Sequence, residues 1–174
     1  AQINNAYLNF IASHDGIGMR PAEGILNNII LDKLFKRVKK NGGKFSFRKV
    51  ETKNKVYEVN ITLFDALKRT DFDKDGIFAV ERYIAAHSIL LALEGVPAIY
   101  FNSLFGTSND KNAFIKTGIK RNINRFKWEF SDLSKKLKNK NSLENIIYSK
   151  ILKIISLRQK QIAFHPNATQ YTLT

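Results

Sequence analysis

The residues best equipped for chemistry stand together near the start of the chain, in Ser13, His14 and Asp15, followed by Gly16 and Gly18. An imidazole beside a carboxylate can move a proton, bind a ligand hydroxyl or steady a developing positive charge. The stretch before them, Tyr7 to Ala12, is apolar and rich in aromatic and branched residues, as a buried strand of a parallel sheet is. Barrels and open α/β sheets place their chemistry at the carboxyl ends of such strands. The two glycines let the backbone turn sharply there and leave room for a ligand. The same residues also fit a plain strand end, with Asp15 capping a turn and His14 packing, and both readings stay open on the residues alone.

Stepping outward, the elements that would hold this stretch can be read in order. Pro21 marks a turn and the start of a short helix from Ala22. Asn28 to Asn41 reads as a helix with Ile29, Ile30, Leu34, Phe35 and Val38 as its apolar stripe, stopped by Gly42 and Gly43. Phe45, Phe47 and Val50, then Val56, Tyr57 and Val59, predict a hairpin with Glu51 to Lys55 as its loop. A short helix is expected over Ile61 to Lys68 and a long one over Ile77 to Gly95, apolar enough to be packed on both sides. His87 on that helix reads as a core or interface histidine. A second buried strand is expected over Val96 to Phe101, then a long polar loop from Asn102 to Asn124. Helices over Ser131 to Lys138 and Leu143 to Gln161 follow, and Gln170 to Thr174 looks like a further strand.

Asp71, Asp73, Asp75 and Gly76 match the opening of a calcium-binding loop, but the twelfth position is Arg82 where a bidentate acid belongs. The segment therefore reads as an acidic cap opening the next helix, and neither a metal site nor a cofactor is assigned.

With 174 residues, 44% of them hydrophobic, the chain can bury a sizeable core. The absence of cysteine excludes disulfides and thiolate chemistry and favours a reducing compartment, so a cytoplasmic location is expected. No apolar run is long enough for a membrane span. The net charge of +14 raises nucleic acid as a partner. Yet the Lys and Arg residues are spread widely, with modest clusters at Lys36 to Lys40 and Lys135 to Lys140 on expected helix ends, where cations are ordinary. Neither nucleic acid nor a membrane is expected as a partner, and a basic, non-catalytic binding module is the alternative from another class.

The segment Asn9-Phe-Ile-Ala-Ser-His-Asp-Gly-Ile-Gly18 resembles the motif on the seventh barrel strand of the alpha-amylase family of glycoside hydrolases, and more narrowly its sucrose phosphorylase branch. The likeness continues in order through Tyr57-Glu-Val-Asn60, Ala79-Val-Glu-Arg-Tyr83, Gly95-Val-Pro-Ala-Ile-Tyr100, Gly106-Thr-Ser-Asn-Asp110, Asn122-Ile-Asn-Arg125 and Ala163-Phe-His-Pro166. It implies an α/β fold, the carboxyl-terminal part of a (β/α)8 TIM barrel. Strands seven and eight with their helices and a hairpin insertion would fill residues 1–165, and residues 166–174 would begin a β domain. The chain opens on Ala1 in mid-element, so the amino-terminal half of the barrel is expected to be missing.

The resemblance also implies a reaction: retaining glucosyl transfer from an α-glucoside to inorganic phosphate, with sucrose as the first expected substrate. Phosphorolysis of glucosylglycerate or sucrose 6-phosphate, or hydrolysis by a related α-glucosidase, are the alternatives within the family. Asp15 matches the transition-state-stabilising carboxylate, while His14 and Arg125 match residues that contact the bound sugar. Tyr57 and Glu58 match a loop on the acceptor side, where Glu58 replaces the branch's glutamine and Lys55 an acid. A lysine there would favour an anionic acceptor. Nothing matches the nucleophile or the acid/base group, so the isolated chain is expected to be inactive.

Overall fold

The computed structural model describes residues 5–165 and Ala168. Its first strand, β1 (Leu8–Asn9), is followed by a tight turn and by β2 (Ile17–Gly18). A 3₁₀ turn over Arg20–Ala22 then replaces the helix expected from Ala22, because the chain turns outward again at Glu23. Helix α1 (Asn28–Lys40) begins where the side chain of Asn27 accepts the amide of Ile30, and it ends in a basic last turn before Gly42. Its buried face is Leu31, Leu34, Phe35 and Val38, whereas Ile29, at 69% exposure, and Ile30 point outward.

Strands β3 (Lys44–Val50) and β4 (Lys53–Asn60) form the expected hairpin. Its turn is only Glu51 and Thr52, with Glu51 at φ 53°, so Lys53 to Lys55 belong to β4 and not to a loop. β2 adds to the other side of β4, with Ile17 opposite Val59 and Gly18 opposite Glu58, which extends the hairpin to a three-stranded antiparallel sheet ordered β2-β4-β3. The stretch carrying Asp15 is thereby tied directly to the strand carrying Glu58.

Thr62 caps α2 (Leu63–Lys68), which places its start two residues after the expected one. Helix α3 (Ala79–Ala92) packs on α2 and on α6 (Leu143–Gln159), around Leu63, Phe64, Tyr83, Ile147 and Ile151. Tyr83 donates to the Ser103 carbonyl at 2.7 Å, and burial pushes its phenol well above the ordinary value. His87 is fully buried, with Nδ1 2.9 Å from the Tyr83 carbonyl, and burial pushes its imidazole below the ordinary value. It is a core histidine. α3 is not covered all round: Ile89 on the helix and Leu93 just after it are exposed.

After α3, Gly95 adopts φ +100°, where a Cβ would lie 2.4 Å from the Tyr7 carbonyl oxygen. The close approach lets β5 (Val96–Pro97) pair in parallel with β1, Leu8 opposite Val96 and Asn9 opposite Pro97. Arg158 of α6 holds this corner by donating to the carbonyls of Leu91, Leu93 and Gly95. Both expected strands are thus real and parallel but shorter than their apolar runs. The stretch expected as a loop, Asn102 to Asn124, holds 3₁₀ turns over Phe101–Phe105 and Lys120–Asn124 and helix α4 (Lys111–Thr117). Gly106 and Gly118, which looked like loop punctuation, are left-handed caps that end two of these elements. α5 (Phe130–Lys138) follows as expected. The expected strand Gln170 to Thr174 lies outside the described residues, as does all but Ala168 of the proposed β domain over residues 166–174.

Candidate active site

The turn between β1 and β2 is closed by paired backbone bonds, Ser13 to Gly16 at 2.9 Å and Gly16 to Ser13 at 3.1 Å, and the amide of Asp15 donates to the Ser13 hydroxyl. Gly16 stands at φ +122°, and a Cβ on it would lie 2.2 Å from the Val59 carbonyl oxygen. No other residue type fits there without moving β4. The Asp15 carbonyl accepts from the Asn60 side chain at 2.9 Å, so the turn is fastened to the sheet from two directions.

Asp15 Oδ1 accepts from Arg125 Nη2 at 2.6 Å and lies 3.5 Å from Arg121 Nε and 3.3 Å from His14 Nε2. Its other oxygen, Oδ2, has no hydrogen bond or ion pair among the described residues, and the side chain is 27% exposed. His14 is 61% exposed and leans toward the Tyr100 ring. Burial pushes the Tyr100 phenol up, and its hydroxyl donates to the Asn124 carbonyl.

Arg121 is the residue that sequence reasoning missed. It comes from the 3₁₀ turn before Arg125, donates from Nε and Nη2 to Glu58 at 2.8–3.2 Å, and reaches the Tyr57 hydroxyl at 3.3 Å. Glu58 in turn holds Arg121 firmly in its charged form, partial desolvation acting the other way. The only sequence signal was its place four residues before Arg125, which a chain so rich in cations hides.

Five expected residues, His14, Asp15, Tyr57, Glu58 and Arg125, therefore converge. Two of the expectations change in character. Tyr57 and Glu58 lie on β4, not in a loop. Glu58 is 5% exposed with both oxygens taken by Arg121 and Asn60, so it faces the network and not a substrate. Lys55 also lies on β4 and pairs with Glu23 at 3.2 Å, beside Arg48, and Glu23 is held below the usual carboxylate range by Arg48 and then Lys55. An arginine or lysine already paired is a poor anchor for an incoming anion.

Asp15, Tyr57 and Glu58 line one cleft of about 710 Å³, which also includes Leu8, Phe10 and Leu93. The two carboxylates of this lining are paired with Arg125 and Arg121, so those charges compensate. Such a lining suits a neutral polyhydroxyl ligand: Oδ2 of Asp15, without a partner among the described residues, can accept from sugar hydroxyls while Arg125 holds Oδ1 in place. Among the described residues no group of three or more His, Asp or Glu side chains is placed to hold a metal ion. The segment that imitates a calcium loop is instead tied up in the turn that leads into α3. Asp73 accepts the amides of Gly76, Ile77 and Phe78 at 2.9 Å and pairs with Arg82.

No family model matches the chain. It is 36% identical over 167 residues to the glucosylglycerate phosphorylase of Allomeiothermus silvanus, covering 96% of this chain and 30% of that protein. The glucosylglycerate phosphorylase of Escherichia coli is 34% identical over 165 residues, covering 94% of this chain and 29% of that protein. Over nearly its whole length the chain is thus similar to glucosylglycerate phosphorylases. Further from it, the sucrose phosphorylase of Agrobacterium vitis is 27% identical over 165 residues, covering 88% of this chain and 30% of that phosphorylase. The crystal structure of sucrose 6F-phosphate phosphorylase from Thermoanaerobacter thermosaccharolyticum matches the fold with a TM-score of 0.73 at 24% identity, over 90% of this chain and 30% of that one. The chain spans about 30% of the length of the phosphorylase relatives it matches. Among the described residues no helix is long and apolar enough to cross a membrane.

Proposed function

We propose that this chain contributes the carboxyl-terminal part of a barrel that transfers a glucosyl unit from an α-glucoside to inorganic phosphate with retention. β1 and β5 are read as the seventh and eighth barrel strands, a reading supported by their parallel pairing and by α3 leading directly into β5. Asp15 carries the proposal: a carboxylate with one oxygen clamped by arginine and the other free in a cleft. Free to accept from two adjacent sugar hydroxyls, it would strengthen those bonds as positive charge grows at the anomeric carbon. Arg125 fixes one oxygen of that carboxylate, and the exposed ring of His14 stands beside it for the same sugar. The double displacement also needs a nucleophile and an acid/base carboxyl group. Glu58 serves neither role, since both of its oxygens are taken, and so those groups are assigned to other segments of the protein that carries this chain.

Among the substrates, glucosylglycerate is placed ahead of sucrose, reversing the first expectation, because the glucosylglycerate phosphorylases share 34–36% identity with the chain and the Agrobacterium sucrose phosphorylase 27%. The test is to supply the native full-length protein with phosphate and, separately, glucosylglycerate, sucrose and sucrose 6-phosphate. Release of glucose 1-phosphate is expected, fastest from glucosylglycerate. Release of free glucose alone would make the protein a hydrolase, and no turnover of any of the three would overturn the reading.

A further inference from the structure

Three charged side chains line the Asp15 cleft, and they are not equivalent. Asp15 and Glu58 are compensated by Arg125 and Arg121. The third, Arg20, is exposed and makes no side-chain hydrogen bond or ion pair among the described residues. Its backbone, in contrast, is firmly placed. Gly18 pairs with Glu58 in the sheet, the amide of Met19 donates to the Tyr57 carbonyl at 2.9 Å, and Pro21 fixes the turn that Arg20 begins. The chain thus sets a free guanidinium on the same wall as Tyr57 while Arg48, Lys55, Arg121 and Arg125 are all engaged elsewhere.

We propose that Arg20 recognises the oxyanion of the glucosyl acceptor, a carboxylate or a phosphate group, and so sets the preference for anionic over neutral acceptors. This rests on the glucosyl-transfer reading above and assigns to Arg20 the part that charge alone had suggested for Lys55. After compensation, Arg20 leaves the cleft lining with one uncancelled positive charge. A planar fork of free donors is the group that pairs bidentately with either oxyanion. A neutral acceptor gains nothing from it, which is what makes Arg20 a specificity residue.

The experiment compares the native full-length protein with Arg20→Gln and Arg20→Lys. Glucosyl transfer from glucose 1-phosphate is measured to glycerate and to glycerol, and the KM for inorganic phosphate is measured in phosphorolysis. Loss of a charged hydrogen bond should lower the glycerate-to-glycerol ratio of kcat/KM, or raise the phosphate KM, by about tenfold or more in Arg20→Gln, with partial recovery in Arg20→Lys. A change confined to glycerate identifies the carboxylate as the ligand, a change confined to phosphate identifies the phosphate, and a change in both identifies one shared oxyanion site. An unchanged ratio with an unchanged phosphate KM overturns the proposal, as does a parallel fall for glycerate and glycerol alone. Should the native protein transfer no glucosyl group at all, the function reading fails by itself. Calorimetric titration with inorganic phosphate and with glycerate then still tests Arg20: weaker binding in Arg20→Gln supports it, and equal or absent binding in both proteins overturns it.

Discussion

Of the three aspartates that pair with arginine among the described residues, Asp73 and Asp15 differ in one respect. Asp73 has both oxygens filled, Oδ1 by the amides of Gly76 and Ile77 and Oδ2 by the amide of Phe78 and by Arg82. Asp15, which lines a cleft, has Oδ1 crowded by Arg125, Arg121 and His14, and Oδ2 has no partner among the described residues. Each is also followed closely by a glycine of positive φ, Gly16 and Gly76, so turn chemistry does not separate them. Saturation does. A carboxylate whose lone pairs are spent on its own backbone fixes a turn, whereas one half-filled by arginine still has an acceptor to offer.

The sharpest way to break this contrast is Asp15→Asn in the full-length protein. Glucose 1-phosphate release should fall by about 10²–10³-fold, the scale of losing one preorganised electrostatic contact in a transition state. Activity within a few-fold of the native rate would place Asp15 with Asp73 as a structural group. Next in size is Gly16→Ala, whose Cβ would meet the Val59 carbonyl at 2.2 Å. It should cost about 1–3 kcal/mol in denaturant unfolding and lower activity in the folded fraction, since Asp15 moves with the turn. Gly76→Ala sharpens the comparison, because its Cβ would lie 2.8 Å from the Lys68 carbonyl. A stability loss is expected there too, but with the specific activity of folded protein unchanged. Asp73→Asn should lower the melting midpoint by a few degrees and leave turnover alone.

The smallest expected effect lies in the acid limb. Partial desolvation by itself would raise the Asp73 carboxyl, but the Phe78 amide, Arg82 and the amides of Ile77 and Gly76 outweigh it and hold it at about 2. In an unfolded chain it would titrate near its ordinary value of about 3.9. Its contribution is therefore complete above that value and is lost as pH falls toward 2. The Asp73→Asn variant should show a shallower loss of stability across that window in acid titrations followed by circular dichroism.

Much of the fold was legible because its signals are local. Asn27 and Gly42 bound α1 to within a residue of expectation. The acidic cap expected to open α3 proves instead to be a turn: Asp73 binds the amides of Gly76, Ile77 and Phe78 before the helix, and the cap residue Phe78 makes no side-chain cap bond. Other readings failed where local signals carry two meanings. Ile29 and Leu31 are both apolar, and it is Leu31, at helical spacing from Leu34, Phe35 and Val38, that turns inward. Gly106 and Gly118 mark helix ends as well as they would mark a loop, so α4 was hidden. Lys55 looked free because Glu23, its partner, is 32 residues away in the chain.

The candidate site divides along the same line. The sequence by itself singled out Asp15 and His14, since a polar pair after an apolar strand and before two glycines is a pattern within one short segment. It equally determined the caps and the alternation that make the flanking elements. Only the tertiary structure decided that Glu58 is consumed by Arg121, that Arg125 holds one oxygen of Asp15, and that Arg20 is left without a side-chain partner among the described residues. Charge pairing is chosen by distance in space, and a sequence with 29 Lys and Arg against 15 Asp and Glu offers each carboxylate far more candidate partners than it can accept.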